Sequence, residues 1–488
     1  MLRRIELSRP SVAATSRAKL RLERLLGPSK VVTDPDMLVA YAGDESDNEP
    51  ILPDLAVLAA SADDVAAVMR VAEDEAIPVT PRGGGSGKSG GCIPVAGGIV
   101  LATGALSSIV DIDRGEHLVV VEPGVVLADL HAAVEAEGLF YGPDPSSLGW
   151  CQLGGTIAEN AAGPRALGYG ATRDWVLGLE IVPVGGERSF VGRRTRKGVT
   201  GYDLVSLLVG SEGTLALSTR AVLRLVPKPE AVRTVLALFD DAYAAGRAVA
   251  AVFAAGILPR CAELLDRRTL ELVRARDASI DRRGHAMLVV ELDGDELACE
   301  RAMERAGAAC DGAGAITVLV AQDAARRDAL WSARRALSTT TRAIAKFKVS
   351  EDVVVPRRHI PTLLEELERM REGEARASEE RGDGPEARIE LLAYGHAGDG
   401  NLHVNFLWNQ AEAAPRVEQL LGQLFRKVVE LGGTLTGEHG VGLSKAPYLR
   451  LEQSDATISL QQRIKAVFDP KGLLNPGKIF APRGHGLC

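Results

Sequence analysis

Two histidines seven residues apart give the first chemical signal in this chain. Residues 389–407 read I-E-L-L-A-Y-G-H-A-G-D-G-N-L-H-V-N-F-L. Two apolar runs flank Asp399-Gly400, the dipeptide of a two-residue type I′ hairpin. In that register His403 opposes His396, and Asn405 follows two residues along on the same face. Directly opposed side chains have Cβ atoms about 4.5–5.5 Å apart, close enough for two imidazoles to share one divalent metal. Two imidazoles and a carboxylate leave coordination positions open for substrate oxygens. The best source of that carboxylate is the glycine-rich run 432–442, where Glu438-His439 sits among residues that permit close approach.

A second cluster points to an anion. The run Pro81-Arg82-Gly83-Gly84-Gly85-Ser86-Gly87-Lys88-Ser89-Gly90-Gly91 nearly matches two nucleotide motifs. A P-loop needs glycine where Arg82 stands. The dinucleotide glycine triad is met at Gly85, Gly87 and Gly90. Both motifs require a helix straight after the loop to bind the phosphates, and Gly90-Gly91-Cys92-Ile93-Pro94 cannot start one. What is left is a run of backbone N–H groups that glycine brings close to one anion, with a pyrophosphate as the natural guest. Downstream lie Pro143-Asp144-Pro145-Ser146-Ser147, then Gly154-Gly155-Thr156-Ile157-Ala158-Glu159-Asn160-Ala161-Ala162-Gly163, then Gly210-Ser211-Glu212-Gly213-Thr214-Leu215. They combine backbone donors with small hydroxyls, which suits an extended cofactor lying along several loops. Arg334 and Ser338 share one helical face, and an arginine grips a carboxylate with two parallel bonds.

The elements that position these groups follow from periodicity and punctuation. A short basic helix is expected over 17–27. Ser61 and Asp64 start a helix over 62–76 in capping-box fashion. Short strands are expected at 77–80, 98–102 and 117–122, and a helix near 126–137. Residues 142–175 read as an elaborate loop region, and strands near 178–184 and 214–226 close the first half. Pro227-Lys228-Pro229 reads as a linker. Beyond it, strands at Thr234–Phe239, Ala286–Leu292 and Ala315–Val320 alternate with Ala- and Arg-rich helices, the texture of an α+β, ferredoxin-like domain. Residues 373–388 read as a charged, solvated loop.

The whole chain has 488 residues, 46% of them hydrophobic, so it buries several cores without disulfide staples. A formal net charge of −8 excludes a broad nucleic-acid surface. No cysteine pair has C-x-x-C spacing, which removes zinc-ribbon and iron–sulfur readings and leaves free thiols in a reducing cytoplasm. The first residues lack the apolar core of a secretory signal, and no apolar run is long enough to span a membrane. The expected location is cytoplasmic, with peripheral attachment to the inner face of a membrane through a partner left open.

Together these runs resemble the FAD-dependent D-2-hydroxy acid dehydrogenases of the vanillyl-alcohol-oxidase-type flavoprotein fold. That group includes D-lactate dehydrogenases, the flavin subunit of glycolate oxidase and D-2-hydroxyglutarate dehydrogenase. The resemblance runs from about Val31 to Pro482 and includes the ending Leu474-Asn475-Pro476-Gly477-Lys478. It departs at Thr156-Ile157, where the family often has Asn-Val. It implies an FAD-binding domain of the p-cresol-methylhydroxylase (PCMH) type over 1–228, with residues 1–30 a helical extension. A ferredoxin-like α+β substrate domain over 229–430 follows, then a segment over 431–488 that returns to the flavin. The 81–89 loop would hold the FAD pyrophosphate. Pro143 to Ser146, Gly154, Gly155, Thr156, Ala158, Asn160, Gly163, Glu212, Gly213, Leu215 and Asn475 would complete the cofactor site. Neither Ser86 nor Lys88 can form the His or Cys link that some relatives make, and Cys151 is read as a free thiol, so the FAD is expected to be dissociable.

In metal-dependent members the counterparts of His396, His403 and Glu438 hold a divalent metal, usually zinc. The counterpart of His439 is the catalytic base, and those of Arg334, Ser338 and Asn405 contact substrate. A lysine of dicarboxylate-using relatives would fall near Ser350, whereas this chain has Lys348. The expected reaction is therefore oxidation of a small D-2-hydroxy acid, glycolate or D-lactate, to the 2-keto acid. D-2-hydroxyglutarate and a differently specific or non-catalytic flavin subunit are the alternatives. The electron acceptor is left among a separate iron–sulfur subunit, a quinone and oxygen, and a homodimer is left open. An NTP-binding protein or a flavin-free metallohydrolase would lack the visible spectrum of a flavin.

Overall fold

The computed structural model describes residues 7–276, 280–320, 327, 331, 332 and 334–481. The glycine loop hangs from a small sheet ordered Val31–Val32, Leu55–Leu58, Ile99–Ala102, Val79–Arg82, whose last three strands are parallel. Parallel strands covered on both faces read as unbroken apolar runs. Leu55, Val57 and Leu101 bury on one face under the helices Val12–Leu26 and Ala62–Glu75, and Ala56 and Val100 on the other. The Ser61 hydroxyl accepts the Asp64 N–H at 3.1 Å, as the capping pattern predicts. The N-terminal helix belongs to this core through Ala14, Ala18 and Leu22.

The second sheet is antiparallel, ordered Ile109–Asp113, Leu118–Val121, Leu217–Arg224, Val176–Val182, Ser189–Gly192. Residues 142–175 are not all loop, because Leu153–Glu159 and Ala166–Tyr169 are short helices. The first is driven by Leu153 and Ile157, four apart and buried together, a pair masked in the sequence by the glycines beside them. The 227–229 linker begins inside structure: Val226–Pro227 pairs with Leu139–Phe140.

The histidines lie on the third sheet. Its order is Thr317–Val320, Ala231–Phe239, Ala286–Gly294, Cys261–Leu265, Glu390–Gly395, Asn401–Trp408, Phe347–Val354. One face is apolar and covered by the helices Ala242–Ala254, Glu296–Gly312, Ile360–Arg381 and Ala414–Glu430. The other face carries the functional side chains, with apolar packing from Leu270, Val273 and Leu337 beside them. The expected loop at 373–388 is corrected here: the helix runs on to Arg381. Glu, Arg, Ala and Met are strong helix formers, Gly373 faces open space, and Gly382, left-handed at φ +70, ends the helix.

The C-terminal segment closes the molecule on itself. Thr434 bridges to Val354 on the third sheet, and Leu474 bridges to Val79 on the first. Among the described residues no helix is long and apolar enough to cross a membrane.

Candidate active site

The hairpin register differs from the two-residue expectation. Tyr394, not His396, opposes His403. A five-residue turn spans 396–400, closed by the Asn401 N–H on the His396 carbonyl at 3.1 Å. Gly400 sits at φ +87 with the Val355 carbonyl where a Cβ would be, so the turn is set by tertiary crowding and not by its own dipeptide. The histidines still converge. The Nε2 atoms of His396 and His403 are 3.4 Å apart, and Glu438 Oε1 lies 3.3 and 3.6 Å from them. Ligands about 2.0–2.1 Å from a tetrahedral zinc sit about 3.4 Å from one another, so this triangle fits such an ion.

Electrostatics reinforce that fit. Burial opposes charge on Glu438, but His396, His403 and His439 hold its carboxyl well below the usual range. Burial and the neighbouring His396 push His403 well down, towards the neutral imidazole that binds metal. Burial opposes charging of His396 too, yet Glu263 and Glu438 outweigh it and keep that imidazole well above its ordinary value. A cation is thus favoured where the three ligand atoms meet.

Two buried carboxylates fix the loop that bears Glu438 and His439. Asp352 Oδ2 accepts three successive backbone N–H groups, from Gly437 (2.9 Å), Glu438 (2.7 Å) and His439 (2.9 Å). Such a nest of amides is a ready anion site. Asp352 also takes the Thr436 hydroxyl, pairs with Lys445, and lies 3.4 Å from His439 Nδ1. From the FAD-binding side, Glu212 accepts the Val441 and Gly442 N–H groups, each at 2.7 Å. Glu438 Oε2 is held by the Gly163 N–H at 2.7 Å. The loop is therefore fixed by both halves of the molecule. Gly440, at φ +79, packs against the Glu159 carboxyl with no room for a side chain.

Arg334, Ser338, His403, Glu438 and His439 all line one cavity with the glycine loop. Asn405 does not. It is fully buried, with its amide nitrogen donating to the His403 carbonyl at 3.2 Å, and Ser350, opposite it in the sheet, reaches the cavity instead. Lys348 is turned away: its Nζ donates to Thr341 Oγ1 at 2.8 Å and to the Ser338 carbonyl at 3.2 Å.

Most of the expected cofactor positions line this cavity as well: Pro81 to Lys88, Pro145, Ser146, Gly154, Gly155, Thr156, Ala158, Glu212, Gly213 and Asn475. Six do not. The Ser89 carbonyl accepts the Leu443 N–H at 2.8 Å, and the Pro143 carbonyl pairs with His131 at 2.9 Å. Asp144 is tied to Arg165, Asn160 is a left-handed helix end whose side chain accepts the Arg173 N–H, Gly163 serves Glu438, and Leu215 is core. Small and polar residues in a glycine-rich run also have these structural uses.

The cradle itself has the chemistry of an anion site. Among the described residues no acceptor takes the backbone N–H groups of Gly83 to Ser89, although such donors are nearly always paired in a folded chain. The cavity also holds acids that the sequence reading passed over. Asp44 Oδ2 and Glu159 Oε2 are buried without a partner. Burial raises both carboxyls, and the Glu212 carboxylate raises Glu159 further, so each is suited to donate a hydrogen bond to a ligand. Glu159 sits between two residues that were singled out in sequence, and only its burial distinguishes it.

The sheet arrangement and this glycine-lined cavity define an FAD-binding oxidoreductase of the vanillyl-alcohol-oxidase fold. The FAD binding domain family matches residues 53–192, and the family described as FAD linked oxidases, C-terminal domain, matches residues 228–479. The chain belongs to the FAD-linked oxidase family and is an FAD-dependent enzyme acting on a CH–OH donor. It is 37% identical over 470 residues to glycolate oxidase subunit GlcD of Bacillus subtilis (strain 168), covering 96% of this chain and 97% of that one. It is 32% identical to D-lactate dehydrogenase of Anaerostipes hadrus, covering 88% and 89%. It is 31% identical to D-2-hydroxyglutarate dehydrogenase of Stutzerimonas stutzeri (strain A1501), covering 94% and 98%. In structure it resembles p-cresol methylhydroxylase with a TM-score of 0.77 at 16% identity, covering 97% of this chain and 98% of that one. For 4-ethylphenol oxidase from Gulosibacter chungangensis the TM-score is 0.75 at 19% identity, covering 97% and 99%.

Cys92 and Cys151 are the thiols on the cavity wall. Burial pushes Cys92 up to about 12 and raises Cys151 as well, which disfavours the thiolate form of both. Acid precipitation of the purified protein is expected to release all of the flavin into the supernatant. Yellow colour retained in the pellet would show a covalent link.

Proposed function

We propose that this enzyme oxidises a small D-2-hydroxy acid of the glycolate or D-lactate type to the 2-keto acid. The observation that supports this reading is the meeting of His403, Glu438, His439 and Arg334 on the wall of the cavity that the glycine loop enters, with His396 completing a triangle with His403 and Glu438. When bound, non-covalent FAD supplies the two-electron acceptor and a divalent ion, zinc by preference, supplies a Lewis acid for the hydroxyl oxygen. His396, His403 and Glu438 would hold that ion.

The chain's own groups divide the remaining work. Arg334 binds the substrate carboxylate, and the Ser338 hydroxyl, on the same wall, contacts it. His439 Nε2 accepts the hydroxyl proton, with its Nδ1 turned to Asp352. Burial lowers the His439 pKa, which favours the neutral base. The small-acid reading is supported by Ser350 on the cavity wall near where a lysine of dicarboxylate-using relatives would fall, with Lys348 buried off that wall. The electron acceptor is proposed to be an iron–sulfur subunit, a quinone or oxygen, with the protein in the cytoplasm.

The test is anaerobic addition of D-lactate, glycolate and D-2-hydroxyglutarate to the flavin-loaded protein. Loss of the visible flavin band is expected with one of the first two. A protein with stoichiometric FAD that none of the three bleaches would remove the proposal.

A further inference from the structure

Glu263 stands alone among apolar neighbours in the strand Cys261-Ala262-Glu263-Leu264-Leu265. Its side chain is fully buried. Burying a carboxylate in the middle of a sheet is costly unless every lone pair finds a donor. Here both oxygens are used, and by two different functional groups. Oε2 accepts Arg334 Nε at 2.6 Å and lies 2.6 Å from Nη2 as an ion pair. Oε1 pairs with His396 Nδ1. Arg334 is backed on its other side by the Tyr394 ring, 4.6 Å from the guanidinium carbon.

The consequences for each partner are specific. With Nδ1 occupied, His396 keeps only Nε2 for the Glu438 and His403 corner. A carboxylate on the far nitrogen of a ligating histidine fixes its tautomer and ring plane and raises its basicity. With Nε occupied, Arg334 keeps its terminal nitrogens, Nη2 among them buried without a hydrogen-bond partner, for a carboxylate in the cavity it lines.

We propose that Glu263 is the positioning residue of the site: one buried carboxylate that orients the metal-side histidine and the substrate-side arginine together, so that metal affinity and grip on the hydroxy acid are set by the same group. The inference rests on the functional reading above and deepens it. It does not follow from packing alone, because a structural role for Glu263 would be met by its pair with Arg334 without His396.

The test uses the FAD-loaded, full-length enzyme and its Glu263→Gln variant. Zinc affinity is read by competition with a chromophoric chelator, and substrate affinity from the concentration dependence of anaerobic flavin bleaching by D-lactate or glycolate at saturating zinc. Glutamine keeps the shape but cannot accept at both ends with charge. Zinc affinity is expected to fall 10–100-fold, as for other lost partners of ligating histidines. Substrate affinity is expected to fall at least tenfold, while FAD content stays at the parent's level because the glycine cradle lies on other elements.

Glu263→Asp retains the charge that balances buried Arg334 and serves if the neutral variant does not fold. One methylene shorter, it cannot span both partners, and at least a fivefold loss in zinc or substrate affinity is expected. The proposal is overturned if zinc affinity in the glutamine variant stays within twofold of the parent, or if zinc weakens while substrate affinity does not. A parent enzyme that binds no zinc, or that no hydroxy acid bleaches, would instead sink the functional reading on which the proposal rests.

Discussion

His439→Ala is expected to slow anaerobic reduction of the bound flavin by hydroxy acid about 10²–10⁴-fold, the usual contribution of a general base. FAD content should not change, because the glycine cradle and the Asp44 and Glu159 acids lie on other elements. The size of the effect follows from how few alternatives the site offers. His403 is already committed to the His396 and Glu438 corner. Lys88, which shares the cavity wall, is tied to Ser338 Oγ at 3.3 Å. The His439 ring stacks on His403 at 5.4 Å between centroids, which sets its plane. Stopped-flow absorbance at the flavin band makes the measurement. A variant reduced within a few-fold of the parent rate would show that the hydroxyl proton leaves by another route.

How much of this was legible in sequence varies with the physics of each group. The trio His396, His403 and Glu438 was readable because metal-binding residue types are rare in apolar hairpins and glycine loops. The turn that brings two of them together was misread: Asp399-Gly400 favours a two-residue hairpin locally, but the Val355 carbonyl above Gly400 and the Ala262 carbonyl, which accepts the Gly398 N–H at 3.0 Å, select a longer one. No local pattern reports those neighbours. Residues 373–381 read as loop because charge and a glycine suggest one, although the same residues are good helix formers.

Glu263, Asp352 and Glu159 were missed for a common reason. Each is an acid whose use depends on partners far away in the chain: Glu263 on His396, Asp352 on the 437–439 amides, and Glu159 on Glu212 and Gly440. An acid in an otherwise apolar strand was the available signal for Glu263, and it is a signal of burial without an address.

Asp352→Ala should be the most damaging substitution outside His396, His403 and Glu438. Burial works against its charge, yet His439, Lys445 and the loop amides outweigh that and hold its carboxyl far below the usual range. Removing it leaves the Glu438 and His439 N–H groups and the Thr436 hydroxyl without an acceptor, while Gly437 keeps the Asp352 carbonyl, and it takes the paired carboxylate from the buried Lys445 ammonium. Breaking a buried pair from one side costs about 3–5 kcal/mol, and the orphaned donors add to it. Glu351, 3.5 Å from Lys445, offsets only part of the loss, because burial and the neighbouring Asp352 hold its own carboxyl up at about 7 in the parent. Glu351→Gln is accordingly expected to cost only about 1 kcal/mol, the scale of one ordinary hydrogen bond. Urea denaturation of the two variants side by side gives both values. Since the same carboxylate fixes Glu438 and His439, the alanine variant should also lose chelator-resistant zinc and hydroxy acid turnover together, even at temperatures where it stays folded. Equal stabilities for the two variants would mean that Lys445 is held by Glu351, and that the amide nest does not set the loop.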